Sequence, residues 1–365
     1  MNRDGATKTH GALIAILATL SGILPCAVTA LAQQAPTQAS APFAEQKITF
    51  ASGIAGQLLR FESASPRNFQ EVIAKAGMPK VTLDGQLFLP TGQGPHPAVI
   101  IVPGSGGVSP PMMKHAEELT KAGIGAYLFD PFTARGISST VADQAQLSWA
   151  ASAIDVLMAA RMLSEQAAID RSRVGAMGYS RGGIAVVMAA SEQMATSVLG
   201  RDLALKAVLA GWPWCGMQFH RAATTRTAIR FLVAASDNWV SPVQCQGQAA
   251  ALRATNQRIS IRLVKDASHG FGYGRPMREI PEAYHALHAP ILYLDDQGAF
   301  LDIDTGEPLT DSAVGEAFQP WLGKGVSSGS KPGQMEDFMS DMLGSRRPAW
   351  PGWHSPLDTA KRAHV

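Results

Sequence analysis

One segment of the sequence limits the possible folds more than any other: residues 174–183, which read VGAMGYSRGG. An apolar run ends in a G-x-S-x-G pattern, and a helix-forming run of small apolar residues follows at once. This setting is typical of a nucleophile elbow, a sharp turn that holds its serine in a strained conformation. Side chains at Gly178 and Gly182 would collide across the turn, so glycine there leaves the Ser180 hydroxyl exposed. The alternative is a glycine-rich turn whose serine has no chemical role.

Strand and helix patterns alternate along much of the chain. Residues 97–102 are a continuous apolar run, as expected of a strand buried on both faces. The other predicted strands are 57–61, 80–89, 124–129, 205–209, 228–233 and 259–264, and the predicted helices include 111–122, 140–166 and 243–255. This alternation predicts an α/β fold with a mostly parallel, doubly wound sheet flanked by helices.

Residues 1–32 have the composition of a secretory signal peptide. Arg3 and Lys8 precede a long apolar stretch that ends in Ala30-Leu31-Ala32, an A-x-A-type cleavage pattern. We therefore expect export to the periplasm or the medium; an uncleaved membrane anchor is the alternative. No later segment is long and apolar enough to span a bilayer, so no stable membrane association is expected after cleavage.

The mature chain is expected to have one main domain. Residues 33–45, rich in Ala, Gln and Pro, predict a disordered linker, and residues 46–322 predict the α/β domain, with a hairpin insertion in 291–308. Residues 323–365 predict a C-terminal extension with a Gly/Ser-rich linker, a helix and an irregular tail. The helix has an apolar face formed by Met335, Phe338, Met339, Met342 and Leu343. This face is expected to pack on the domain; a membrane or partner contact is the alternative.

Charge and cysteine content narrow the functional classes. The formal net charge is +2 without a run of Lys or Arg, so nucleic-acid binding is not expected. Cys215 and Cys245 would remain after signal removal, and two cysteines in an exported protein predict a disulfide, with two buried thiols as the alternative. The sequence has no Cys-x-x-Cys or His-x-x-x-His spacing, so no metal site is expected. The oligomeric state is left open.

A serine nucleophile requires a base, and the base requires an orienting acid. In elbow-containing sheets these follow in the order serine, acid, histidine. Asp237 stands at the end of an apolar strand, and His269 stands in the loop after the next strand. Asp237 could instead cap the following helix. The rival groups are Asp266, His220, His285 and His288.

An oxyanion site requires two backbone N–H groups aimed at the developing negative charge. One is expected from Arg181, the residue after the serine. The other is expected from the glycine-rich loop after residues 97–102, with Ser105 as first choice and Gly106 as second. The alternative is a flexible glycine turn.

Taken in order, these motifs resemble the dienelactone hydrolase family of α/β-hydrolases. The matching segments lie between residues 80 and 275 and are PGSGG at 103–107, DPFTARG at 130–136, GYSRGG at 178–183, WPWC at 212–215, SDNW at 236–239 and ASHGF at 267–271. The resemblance implies an α/β-hydrolase fold, a Ser180–His269–Asp237 triad, and an oxyanion site at Ser105 and Arg181. The enzyme that names the family has a cysteine where this chain has Ser180.

The resemblance implies cleavage of a small-molecule carboxylic ester or lactone through an acyl-enzyme, and it implies no cofactor. The alternatives are a peptidase or carbohydrate deacetylase with the same triad, and a non-catalytic binding protein on the same scaffold. It also implies that residues 130–136 lie beside the site, with Arg135 contacting substrate or a loop; a surface salt bridge is the alternative.

Three tryptophans are expected near the carboxyl ends of neighbouring strands, where ligands of open α/β sheets bind. Trp212 and Trp214 end one strand, and Trp239 follows the predicted acid. They predict a narrow apolar pocket for small or planar acyl groups, with Trp212 and Trp239 as substrate contacts. The alternative is that they pack in the core.

Overall fold

Eight strands form the central sheet in a computed structural model that describes residues 42–224, 227–344 and 350. They are β1 (Gln57–Ala64), β2 (Lys80–Phe88), β3 (His96–Val102), β4 (Gly125–Phe129), β5 (Ile169–Tyr179), β6 (Ala207–Gly211), β8 (Ala228–Ala234) and β9 (Ile259–Val264). The order is β1-β2-β4-β3-β5-β6-β8-β9. The pairs β1–β2 and β2–β4 are antiparallel, and all later pairs are parallel. This arrangement confirms the predicted α/β fold.

The apolar run of β3 shows why the central strands are so hydrophobic. Side chains alternate between the two faces of a sheet. Ala98, Ile100 and Val102 pack in the core on one face, whereas Val99 and Ile101 pack in the core on the other. Because helices cover both faces, neither set of side chains meets water.

The helices are α1 (Phe69–Ala74), α2 (Pro110–Lys121), α3 (Trp149–Ser164), α4 (Arg181–Ala189), α5 (Glu192–Leu199), α6 (Pro242–Thr255), α7 (Asp311–Phe318) and α8 (Gln334–Met342). The prediction of a helix over 140–166 placed its start too early. Ser148 caps α3 by accepting the N–H of Ala151. Asp143 starts a separate 3₁₀ turn, Gln144–Gln146, which ends before the helix begins. The caps at Asp143 and Ser148 therefore separate a 3₁₀ turn from α3, whereas the apolar periodicity alone predicts one continuous helix.

Six further strands build two small sheets. They are β7 (Met217–Phe219), β10 (Arg278–His285), β11 (Leu292–Leu294), β12 (Phe300–Leu301), β13 (Pro308–Leu309) and β14 (Gly323–Ser328). The predicted hairpin is confirmed as β11 and β12, in the sheet β13-β12-β11-β7. The prediction of a linker from residue 323 is wrong for β14, which pairs with β10 and buries Val326 against Ile280.

The amphipathic helix is confirmed as α8, and it packs on the domain. Phe338 and Met342 are buried in the same core as α2. Buried Asp341 pairs with Arg230 on β8 and with Arg262 on β9. A domain boundary at residue 322 therefore has no counterpart among the described residues.

Several sequence expectations lie outside the described residues: the signal peptide at 1–32, most of the linker at 33–45, and the tail beyond 344 except for 350. The described end of the linker is ordered, since Phe43 is buried and its carbonyl accepts a hydrogen bond from Gln86. Within the described ranges, every helix is too short or too polar to cross a bilayer.

Candidate active site

Ser180 occupies the turn between β5 and α4 with φ 53° and ψ −113°. This positive φ is strained for a residue with a side chain. A Cβ on Gly178 would lie 2.1 Å from the carbonyl oxygen of Gly182, and a Cβ on Gly182 would lie 2.4 Å from that of Val102. Only glycine fits at both positions, which confirms the steric interpretation of the G-x-S-x-G pattern.

Asp237 and His269 meet at the carboxyl ends of β8 and β9. His269 Nδ1 lies 2.9 Å from Asp237 Oδ2, and both side chains are buried. The other carboxylate oxygen, Oδ1, accepts the N–H groups of Trp239 and Val240. Asp237 thus caps its own turn and also orients the histidine. Because a carboxylate only accepts, the neutral imidazole carries its proton on Nδ1, which leaves Nε2 unprotonated.

Ser180 and His269 line the same cavity, whose volume is about 330 Å³. Among the described residues their side chains form no hydrogen bond with each other. A hydrogen bond between a nucleophile and its base often tightens only in the complex with substrate. The rival residues do not line this cavity: Asp266, His220, His285 and His288 are all absent from its wall.

The glycine-rich loop after β3 lines the same cavity as His269. Gly104 accepts the N–H of Gly107 in a tight turn, and Ser105 and Gly106 between them line the cavity. Arg181 is the first residue of α4, so its N–H has no acceptor within the helix. The two predicted sources of oxyanion donors therefore flank Ser180.

The family model for the dienelactone hydrolase family matches residues 83–289, more than half of the chain. The chain belongs to the dienelactone hydrolase family. It is a carboxylic ester hydrolase with the α/β-hydrolase fold. No curated protein matches the chain significantly.

Several solved structures are similar to this family member at low identity. One is a protein from Klebsiella pneumoniae provisionally described as a dienelactone hydrolase, with 15% identity, 73% of this chain and 98% of that chain covered, and a TM-score of 0.43. The esterase Est1E from Butyrivibrio proteoclasticus has 13% identity, and the match covers 52% of this chain and 86% of that chain, with a TM-score of 0.38. Esterase 2 from Thermogutta terrifontis has 20% identity, and the match covers 53% of this chain and 83% of that chain, with a TM-score of 0.41.

The Arg181 side chain is a buried feature of this hydrolase that the sequence reasoning missed. It is 2% exposed and lies 4.2 Å from the ring centre of Trp149. Burial lowers the pKa of its guanidinium from 12.5 to about 9. Its donors reach the backbone and side-chain oxygens of Gln144 and the carbonyl of Leu147. No carboxylate pairs with it in the part of the chain that the structure describes.

Arg135 does not contact the cavity, contrary to its expected role as a substrate contact. It forms a bidentate ion pair with Asp155, with both N–O distances at 2.8 Å, and its side chain is 7% exposed. Burial raises the pKa of Asp155, an effect that Arg135 and the Ser63 hydroxyl oppose. The pair is structural, and it is buried rather than on the surface.

The tryptophans divide between cavity and core. Trp239 lines the cavity, with its ring centre 4.6 Å from that of His269, and its Nε1 donates to the carbonyl of Tyr284. Trp212 also lines the cavity but is 1% exposed and packs mainly against neighbouring aromatic rings. Trp214 packs against Trp149 with the two rings tilted by 31°, and it is absent from the wall.

Residues after His269 complete the wall, and sequence reasoning missed most of them. The wall from this part of the chain consists of Gly270, Tyr273, Arg275, Arg278, Glu279, Ile280, Glu282, Ser328 and Gly329. The carbonyl of His269 accepts the N–H of Gly329 at 2.8 Å and the hydroxyl of Ser328 at 2.9 Å. The expected narrow apolar pocket is wrong in its polarity, because charged side chains form part of its wall.

The two predicted cysteines form a disulfide. Their Sγ atoms are 2.07 Å apart, and both residues are fully buried. Cys215 follows β6 and Cys245 lies in the first turns of α6, the helix that begins after Asp237. The bridge therefore ties the segment after Trp214 to the helix behind the predicted catalytic acid.

Proposed function

We propose that this chain is an exported serine hydrolase that cleaves a carboxylic ester or lactone through an acyl-enzyme on Ser180. The observation that carries the proposal is the shared cavity. One wall has the strained Ser180, another has His269 oriented by Asp237, and the loop at Ser105 lies beside them.

In the proposed reaction His269 acts first as base and then as acid in each of two halves, acylation and deacylation. Ser180 Oγ attacks the carbonyl carbon while His269 Nε2 accepts the hydroxyl proton, and the N–H groups at Ser105 and Arg181 stabilise the oxyanion. Protonated His269 then donates that proton to the leaving alkoxide, which departs as an alcohol. His269 Nε2 then accepts a proton from water as the water attacks the acyl-enzyme, and it donates that proton to Ser180 Oγ as the carboxylic acid is released and the free serine is restored. Asp237 holds the imidazole in the required tautomer throughout.

Substitution of the proposed groups tests this reaction. Ser180→Ala and Asp237→Asn should each lower kcat for p-nitrophenyl acetate, by about 10⁶-fold and about 10⁴-fold respectively, with the fold retained by circular dichroism. Asp266→Asn is the matched control, because Asp266 lies three residues before His269 but outside the cavity. Near-normal turnover by folded Ser180→Ala would exclude the mechanism. Amide and acetylated-sugar substrates in the same assay distinguish peptidase and deacetylase activity.

Export is the second part of the proposal. It is supported by the signal-like composition of residues 1–32 and by the disulfide, since disulfides persist in oxidising compartments. Protein recovered from the periplasm or medium of an expressing bacterium should have a mass that corresponds to a chain starting near Gln33. Recovery of protein that retains Met1 in the membrane fraction would show an uncleaved anchor instead.

A further inference from the structure

The two predicted oxyanion donors are connected by side chains that the proposed reaction does not use. Gln144, in the 3₁₀ turn before α3, lies between them. Its Oε1 accepts from the Arg181 guanidinium at 2.9 Å, and its Nε2 lies 3.0 Å from Ser105 Oγ. The result is a continuous chain of hydrogen bonds from the residue after Ser180 to the loop after β3.

The same segment also holds the backbone of that loop. The carbonyl of Ser105 accepts the N–H of Thr140 at 2.8 Å and the hydroxyl of Ser139 at 3.1 Å. Because a trans peptide is planar, fixing this carbonyl also fixes the direction of the N–H of Gly106. Residues 139–144 therefore hold the peptide that carries the N–H of Gly106 and, through Gln144, the side chain of Ser105.

Arg181 in turn fixes residues 144–147. Its guanidinium is buried and no carboxylate pairs with it among the described residues; its terminal nitrogens donate to oxygens of Gln144 and Leu147, its plane lies over the Trp149 ring, and its Nε has no hydrogen-bond partner in the same part of the chain. A buried cation is costly unless its donors are satisfied, so the turn cannot move away from Arg181 without a free-energy penalty. Through Arg181 and Gln144, the loop at Ser105 is therefore held in a fixed position relative to α4.

We propose that Gln144 is a positioning residue for the oxyanion site, and that it aligns the donor at Ser105 with the donor at Arg181. This inference rests on the proposed serine-hydrolase function. Gln144 does not contact the reacting atoms in this account. It acts through the Ser105 hydroxyl and the Arg181 guanidinium, and so it should affect the transition state more than substrate binding.

The test compares three variants. Gln144→Leu should lower kcat for p-nitrophenyl acetate by about 10- to 100-fold with KM nearly unchanged, less than the 10²–10³-fold effect typical of deleting a donor. Gln144→Glu should remain close to wild type, because a carboxylate accepts from both Arg181 and the Ser105 hydroxyl. Gln146→Leu is the matched control, since Gln146 is exposed on the same turn and bonds only backbone carbonyls of Ser139 and Asp143.

A second readout separates positioning from simple packing. An alkylboronic acid forms a tetrahedral adduct with a serine nucleophile, so its affinity should fall in parallel with kcat in Gln144→Leu. Ser105→Ala removes the hydroxyl but keeps the N–H. It should show the same selective loss, and the double variant should be no worse than either single variant. Ser105→Ala also tests the inference if Gln144→Leu does not fold.

Two results would overturn the inference: wild-type kcat in folded Gln144→Leu, or an equal loss in Gln146→Leu. Ser180→Ala is measured in parallel. If Ser180→Ala is active, the proposed function fails; if it is inactive while Gln144→Leu is normal, only the role of Gln144 fails.

Discussion

At the scale of single residues, Ser180 shows how the fold holds a strained residue at the position proposed for the nucleophile. A positive φ at a non-glycine residue costs of the order of 1–3 kcal/mol and persists only where the surroundings impose it. Here β5 and α4 enter and leave the turn, and Gly178 and Gly182 remove the side chains that would collide. Both glycines could be identified from the sequence because the steric requirement admits no other residue at either position, and the serine could be identified from its place between them.

His115 is a second residue whose buried environment changes its properties, here its pKa, although it is not among the residues that line the cavity. It is fully buried, its Nδ1 lies 2.6 Å from the hydroxyl of Tyr179, and its Nε2 lies 3.0 Å from the carbonyl of Gly272. Since a carbonyl only accepts, Nε2 carries the proton and Nδ1 accepts from Tyr179. Burial lowers the pKa of His115 from 6.5 to about 4.

This pKa predicts a loss of stability in acid. Between pH 6.5 and pH 4 the unfolded chain binds a proton at His115 and the folded chain does not, so the free energy of unfolding falls as pH falls. The contribution of His115 is roughly 3 kcal/mol at most. Urea titrations at pH 7 and pH 4 should show a smaller difference in His115→Gln than in wild type.

His288→Gln is the control for this measurement, because His288 is exposed. It should keep the wild-type pH dependence. Equal pH dependence in His115→Gln and wild type would contradict the assigned protonation.

At the scale of elements, the described part of the C-terminal extension packs into the core of the domain. Phe338 on α8 is 1% exposed, and its ring packs against His115, Trp212 and Phe271. Phe271 begins the turn that follows His269 by two residues. The apolar periodicity of α8 could be predicted, but its docking site could not, because the partners are scattered over the sequence.

Removal of the Phe338 ring should therefore destabilise the whole domain. Phe338→Ala is expected to lower the free energy of unfolding by about 3–5 kcal/mol, the usual cost of truncating a buried phenylalanine. Glu336→Ala, on the exposed side of the same helix, should change it by less than about 0.5 kcal/mol. Chemical denaturation measures both. A loss below about 1 kcal/mol for Phe338→Ala would show that α8 is not part of the cooperative unit.

At the scale of the whole molecule, the mostly parallel sheet could be inferred from the alternation of strands and helices, and the Asp237–His269 pair could be inferred because each residue follows the end of a strand. Most residues of the cavity wall could not be inferred from the sequence. Strand β14 has four glycine and serine residues in its GKGVSS sequence, and its pairing with β10 has no local signature. Arg135 was misassigned for a related reason: its partner Asp155 lies inside α3, and nothing in the residues around Arg135 indicates that contact.

The position of Trp239 predicts a preference for small acyl groups. Its ring borders a cavity of about 330 Å³ beside His269, so we expect wild-type kcat/KM to be highest for acetyl or butyryl esters. In Trp239→Ala the optimum should move to longer chains. Trp321→Ala is the control, because Trp321 is exposed and absent from the cavity wall. A wild-type optimum at octanoyl or longer esters would show that the indole does not limit the site.

The most direct test of the central claim is to map the residue that a fluorophosphonate modifies. The reagent phosphonylates an activated serine, and peptide mass spectrometry of the digested protein locates the adduct. The account predicts one adduct, on the peptide that contains Ser180, formed at the rate at which esterase activity is lost and absent from Ser180→Ala. An adduct on another residue, with Ser180 unmodified while activity is lost, would contradict it.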